Sequence, residues 1–243
     1  MDLQIRLPEF DREEFLSERW NYAPGEHVTF LAPTQTGKTT LKFQLLQRTA
    51  TPKLPAIVLV MKPRDAVVDE WQKRLKFQRT EDWPPVAWKR KFSNPPGWMV
   101  KPRHRFDPTV DDAQLRRVFR KAMLAAYKVG DRIVDVDEMY GVANELNLDS
   151  EMNTLWSRGA SMGCGQWGGS QRPRNVPLYA YSQAQHLFLG YTPDKADRER
   201  FRDIGGVDAM DVSDIVMDLD DHEWLYINRS GPRLCRIRAA EGK

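Results

Sequence analysis

Residues 27–49 read HVTFLAPTQTGKTTLKFQLLQRT, and this stretch constrains the fold more than any other. HVTFLA is a short apolar run that predicts a buried strand. TTLKFQLLQRT carries Leu41, Leu45 and Leu46 at helical spacing and predicts a helix. Between them lies a loop of small and polar residues ending in Gly37-Lys38-Thr39-Thr40. Strand, loop and helix in this order are the frame that a phosphate-binding loop requires. Such a loop grips phosphate through successive backbone N–H groups and the positive end of the following helix. The expected nucleotide contacts are therefore Ala32, Pro33, Thr34, Gln35, Thr36, Gly37, Lys38, Thr39 and Thr40. Gly37 lets the chain approach the phosphates closely, Lys38 reaches the β- and γ-phosphates, and the Thr39 hydroxyl ligates Mg²⁺. ATP and Mg²⁺ are thus the expected cofactors. One departure stands out: Ala32 occupies the position of the first glycine in G-x-x-x-x-G-K-[ST]. Alanine is the smallest replacement and removes no N–H donor.

The rest of the chain repeats the alternation of strand and helix. AIVLVM (56–61), RIVDVDE (132–138), CGQWGGSQRP (164–173) and QHLFLG (185–190) read as strands. Helices are predicted over 11–20, 39–49, 64–75, 140–158 and 194–204, and over a long segment from Thr109, the expected cap, to Gly130. On that long helix Val110, Leu115, Val118, Phe119, Ala122, Met123 and Ala126 line one face. The tail EWLYINRSGPRLCRIR predicts a hairpin around Ser230-Gly231-Pro232. Strands alternating with helices argue for a mainly parallel sheet covered on both faces. The expected organisation is one domain over 1–243, with a basic insertion at 76–105 and a C-terminal hairpin extension at 206–243.

The strand IVDVDEM ends in acids, where a metal-site Asp is wanted. Alternation puts Asp135 and Asp137 on one side, and the strand's end favours Asp137 as the acid that holds Mg²⁺. Glu138, directly after it, is suited to orient and deprotonate an attacking water; a capping pair at a strand-to-helix turn is the plainer alternative. Gln171 stands where a polar amide can sense the γ-phosphate, or serve as an ordinary turn residue before Pro173.

Two cysteines, Cys164 and Cys235, are too few for a disulfide framework and read as reduced thiols. No zinc-ligand spacing links them to the four histidines. No apolar run is long enough to span a bilayer and no signal peptide is recognisable, so a soluble protein of the cytoplasm, or of a host's cytoplasm, is expected with no membrane partner. Residues 71–105 hold ten Lys/Arg against two acids, with four Trp and five Pro. That makes them either a nucleic-acid surface or a solvated, irregular insertion. Trp20 and Tyr22 are either core aromatics or a stacking platform for adenine.

In this order TQTGKTT, IVDVDE, a helix ending in arginine, and GSQRPRNVP resemble the FtsK/HerA superfamily of ring-forming DNA-translocating ATPases, which includes genome-packaging ATPases of viruses and phages. The resemblance spans roughly 27–205. It implies a RecA/ASCE-like P-loop NTPase fold of the α/β class. It gives Lys38 and Thr39 the phosphate and metal roles, Asp137 and Glu138 those of metal-site and catalytic acid, and Gln171 that of sensor. It also implies an arginine supplied in trans, with Arg158 in WSRGASMGCG as the first candidate and Arg172 and Arg174 as its competitors. The implied partners are double-stranded DNA, further copies of the chain in a homo-oligomeric ring, and a portal or capsid protein. Lys89, Arg90, Lys91, Arg172 and Arg174 are the candidates for contact with the DNA backbone. Two other readings stay open: a nucleotide-gated assembly or secretion ATPase that moves no DNA, and a small-molecule kinase in which Arg198, Arg200 and Arg202 form a lid.

Overall fold

The structure is a computed structural model describing residues 7–85, 95–230 and 233–240. Among them the strands are β1 (Glu9–Phe10), β2 (Val28–Leu31), β3 (Ala56–Leu59), β4 (Gln78–Thr80), β5 (Gly97–Val100), β6 (Arg132–Val136), β7 (Cys164–Ser170), β8 (His186–Leu189), β9 (Trp224–Asn228) and β10 (Arg233–Ile237). They form one sheet in the order β1-β10-β9-β8-β2-β7-β6-β3-β5-β4. From β8 to β4 every neighbouring pair is parallel, while β9 runs antiparallel to both β8 and β10. β2 therefore lies inside the parallel block, between β7 and β8.

The helices are α1 (Arg12–Glu14), α2 (Lys38–Thr49), α3 (Ala66–Arg74), α4 (Pro108–Val129), α5 (Asp149–Arg158), α6 (Leu178–Ser182), α7 (Lys195–Arg198) and α8 (Ala209–Met217). They cover both faces. Leu115, Phe119 and Met123 of α4 pack with Leu155 and Trp156 of α5 in one core layer. Leu41, Leu45 and Leu46 of α2 pack with Val68 and Trp71 of α3 in the other. β6 feeds both, sending Val134 and Val136 to the first layer and Ile133 to the second, as the two-residue period of a strand demands. β2, β3, β7 and β8 are buried at every residue, because neither face of the inner sheet meets water.

Several boundaries differ from the sequence reading. Asp107, not Thr109, caps α4, its carboxylate accepting from the N–H groups of Thr109 and Val110. Val110 is consequently in the first turn and exposed. The segment 140–158 splits into a π-type turn at Gly141–Glu145 and α5. β7 ends at Ser170, one residue before Gln171. The region 194–204 is α7 followed by a 3₁₀ turn at Glu199–Ile204. α6, α8 and β1 had no clear sequence signal. The hairpin strands pair as expected, whereas Gly231 and Pro232 lie outside the described residues. Among the described residues, no helix is long and apolar enough to cross a membrane.

Candidate nucleotide site

In a parallel sheet the loops that follow the strands collect at one edge, and there the ligand-binding crevice forms. The loop after β2 opens with Ala32, whose N–H donates to the Ser170 carbonyl (3.2 Å). Ala32 is fully buried, and its methyl group faces Gly190 at the end of β8: a Cβ on Gly190 would stand 2.8 Å from it. The methyl that replaces the usual glycine is thus accommodated by the glycine that follows the neighbouring strand. Gly37 takes a left-handed conformation (φ +80°) immediately before α2, a region that other L-residues enter at a cost. Pro33, Thr34, Gln35, Gly37, Lys38, Thr39 and Thr40 line a cavity of about 490 Å³, shared with Lys62, Asp65, Asp137, Gln171 and His222. Thr36 closes the loop on itself, its hydroxyl donating to the Pro33 carbonyl (2.9 Å).

Lys38 is buried, with Nζ 3.5 Å from the Ala32 carbonyl oxygen. Burial pushes its pKa down to about 8, while Asp137 and Glu138 pull the other way. An ammonium so poorly solvated gains from any anion that arrives beside it. One turn further along α2, Lys42 is fully buried. Its Nζ donates to Asp137 Oδ1 (2.8 Å) and lies 3.0 Å from Asp135 Oδ2, an ion pair without hydrogen-bond alignment. Burial alone would raise the Asp137 pKa, but the Lys42 charge holds it well below the usual carboxylate range. Burial raises Asp135, which Lys42 only partly offsets. Asp135 is thus sunk in the sheet, and Asp137 is the acid at the cavity wall.

Register places the second acid. Val136 stands level with Gly168, so the chain two residues on stands near Ser170. The Ser170 hydroxyl donates to Glu138 Oε1 (3.0 Å), fixing that carboxylate beside Gln171. The glycines of β7 make this approach possible. A Cβ on Gly169 would lie 2.5 Å from the Asp137 carbonyl oxygen and 3.6 Å from Lys38 Cδ. Gly169→Ala should therefore push the acid loop and Lys38 apart. We expect a loss of about 2–3 kcal/mol, a melting temperature lower by about 5–10 °C, and weakened nucleotide binding. Thermal melts with and without an ATP analogue check this, and unchanged melting would mean that the loop yields freely.

Lys38, Thr39, Asp137, Glu138 and Gln171 converge on this edge; Gln171, Asp137 and Glu138 also border an apolar hollow between α2, β3 and α3. Arg158 does not converge. It ends α5 ahead of β7, exposed, at the opposite end of the strand from Ser170. Seven residues of strand make that separation about 23 Å. Arg172 and Arg174 are exposed just beyond β7, and the backbone N–H of Arg174 donates to Asp197 (3.0 Å). Lys89, Arg90 and Lys91 lie outside the described residues. Trp20 and Tyr22 belong to the core: Trp20 donates to Thr49 Oγ1 (2.8 Å), and both rings pack against Trp167 and His186.

Four residues at the edge escaped the sequence reading. Lys42 was detectable, since helical periodicity sets it four residues from Lys38 on the same face. Ser170, Lys62 and His222 carried no local signal. His222 sits on the turn before β9 with φ +65°, and a Cβ on Gly37 would come within 3.0 Å of its Nδ1. The buried Arg12 guanidinium holds that turn by donating to the His222 carbonyl (2.6 Å).

Strand order, loop geometry and the acids that follow β6, separated from β2 by β7, together define a P-loop NTPase fold. No protein-family model matches the chain, and no curated protein sequence matches it. Solved structures do. The genome-packaging NTPase B204 of Sulfolobus turreted icosahedral virus 2, in complex with sulfate, superposes with a TM-score of 0.67 at 13% identity, over 90% of this chain and 98% of that one. The same protein in complex with ATP-gammaS gives 0.63 at 14% identity, over 89% and 98%. VirB4 of Thermoanaerobacter pseudethanolicus gives 0.66 at 11% identity, over 88% and 90%. The chain therefore resembles viral packaging NTPases in fold.

Proposed function

We propose that the protein is an ATPase that moves double-stranded DNA, a genome-packaging motor of the phage type that works as a homo-oligomeric ring. The observation that carries this reading is that Lys38, Asp137 and Gln171 line one cavity at the edge of the sheet, while Glu138 lines the adjoining hollow that Asp137 and Gln171 also border. Lys38 and the loop amides bind the triphosphate. Among the described residues no cluster of three or more His, Cys, Asp or Glu is arranged to hold a metal ion. Mg²⁺ suits such a site, because it takes one or two protein oxygens and completes its shell with phosphate and water. Thr39 and Asp137 would supply those oxygens, and the ion, when bound, would neutralise charge on the phosphates. Glu138, oriented by Ser170, accepts the proton of the attacking water. Gln171 reports the state of the terminal phosphate to the loop that carries Arg172 and Arg174.

The DNA assignment is supported by the fold's likeness to a packaging NTPase and by the basic segment 71–105. Part of that basic charge is used internally: Lys101 pairs with Asp69 and Arg74 with Glu70. Lys89, Arg90, Lys91, Arg172 and Arg174 remain the proposed backbone contacts, and a portal or capsid protein remains the proposed docking partner. One second reading stands beside it, an assembly or secretion ATPase that moves no DNA, and the same fold in VirB4 is compatible with it. The kinase reading loses its lid. Arg198 donates to the carbonyls of Thr192 and Pro193, Arg200 pairs with Asp203, and Arg202 donates to the Glu199 carbonyl. Arg198 and Arg202 line a separate hollow beside α7 and α8.

ATP hydrolysis by the purified protein, with and without double-stranded DNA, tests the proposal. Stimulation of about fivefold or more, declining as salt rises, is the expected result. Slow hydrolysis that DNA leaves unchanged supports the assembly reading and removes the motor.

A further inference from the structure

Asp137 meets two lysines, one on each oxygen. Lys42 Nζ holds Oδ1 at 2.8 Å, and Lys62 Nζ stands 3.8 Å from Oδ2. The two differ in every respect that decides which can leave. Lys42 is borne on α2, its side chain is 1% exposed, and Asp135 shares it. Withdrawing it would strand two carboxylates in the interior, a costly arrangement. Lys62 follows β3 on a loop, its side chain is 53% exposed, and it stands at 3.7 Å and 3.8 Å from its two partners, Asp65 and Asp137. Loose, solvated pairs of that kind contribute little. Lys62 also borders both the cavity of the phosphate loop and the hollow that contains Glu138 and Gln171.

We propose that Lys62 is a second, mobile phosphate-binding cation of the site: it yields Asp137 Oδ2 when the metal ion binds and swings onto the terminal phosphate. This deepens the ATPase reading and rests on it. The charge balance favours the exchange. A triphosphate carries more negative charge than Lys38 and one divalent ion neutralise, and Lys62 is the exposed lysine already at the cavity wall. Without nucleotide, the same ammonium covers the outward oxygen of Asp137 and limits its charge repulsion with Glu138. Because Asp65 also caps α3 through the Val68 N–H (3.1 Å), release of Lys62 leaves that cap in place, and the loop can shift without unwinding the helix.

The test uses Lys62→Met with two readouts. The first is Mg²⁺ titration of the binding of a fluorescent, non-hydrolysable ATP analogue. With its competitor gone, Asp137 should bind metal more readily, so the half-saturating Mg²⁺ concentration should fall about threefold to fivefold. The second is turnover, which should fall about 100-fold for loss of a cation on the transferring phosphate, with partial recovery in Lys62→Arg. A merely structural lysine would not lower the Mg²⁺ requirement. An unchanged or higher Mg²⁺ requirement, or turnover within about twofold of wild type, overturns the proposal. A wild-type protein that binds the analogue but never hydrolyses ATP removes the ATPase reading instead, and the Mg²⁺ titration still decides whether Lys62 guards Asp137.

Discussion

Glu138→Gln should lower ATP turnover by about 10²–10⁴-fold while the affinity for an ATP analogue stays within about twofold of wild type. The split follows from where the carboxylate sits. Glu138 is half-buried in the hollow that adjoins the phosphate-loop cavity, and its Oε1 accepts the Ser170 hydroxyl at 3.0 Å. A glutamine amide oxygen can keep that hydrogen bond, so the loop after β6 should not move. What is lost is the ability to take a proton from water. Binding depends instead on the loop amides and on Lys38, which are untouched. Steady-state hydrolysis beside equilibrium binding measures the two separately. Turnover near the wild-type rate would move the base elsewhere and with it the mechanism.

Arg158→Ala should have an effect of similar or greater size, about 10³–10⁵-fold on turnover, if a neighbouring copy supplies this arginine. Within one chain Arg158 stands a full strand length from Ser170 and cannot reach its own phosphates. The decisive measurement is complementation. Arg158→Ala keeps an intact nucleotide site, and Lys38→Ala keeps an intact arginine. Each alone should be inactive, and mixing them should restore part of the activity, because a ring then contains working pairs. Mixtures that stay inactive, with both variants still able to assemble, would exclude Arg158 and turn attention to Arg172 and Arg174.

Legibility in the sequence followed the range of the interactions. The phosphate loop was visible because its function is local: consecutive N–H groups, one left-handed glycine and a helix start are written in adjacent residues. The alternation of apolar strands and amphipathic helices was visible for the same reason, since each period reports its own burial. Asp137 and Glu138 were legible as the end of a strand, and the structure places Asp137 at the cavity wall and Asp135 in the interior beside Lys42. Short elements such as α6 and α8 were missed because tertiary packing, rather than a long local period, holds them.

Local chemistry thus determined the class of fold and the identity of the loop residues that line the cavity. Tertiary structure alone decided how those residues are held. Ala32 is tolerated because Gly190 faces it from just beyond β8, and the acids approach Lys38 because β7 carries no side chain at Gly169. Asp137 stays ionised because Lys42 is buried beside it, Lys62 waits on its outer oxygen, and Arg158 is turned away from its own site. None of these partners is near in sequence, so no local pattern could reveal them; they meet only because sheet order and register bring distant segments to one edge.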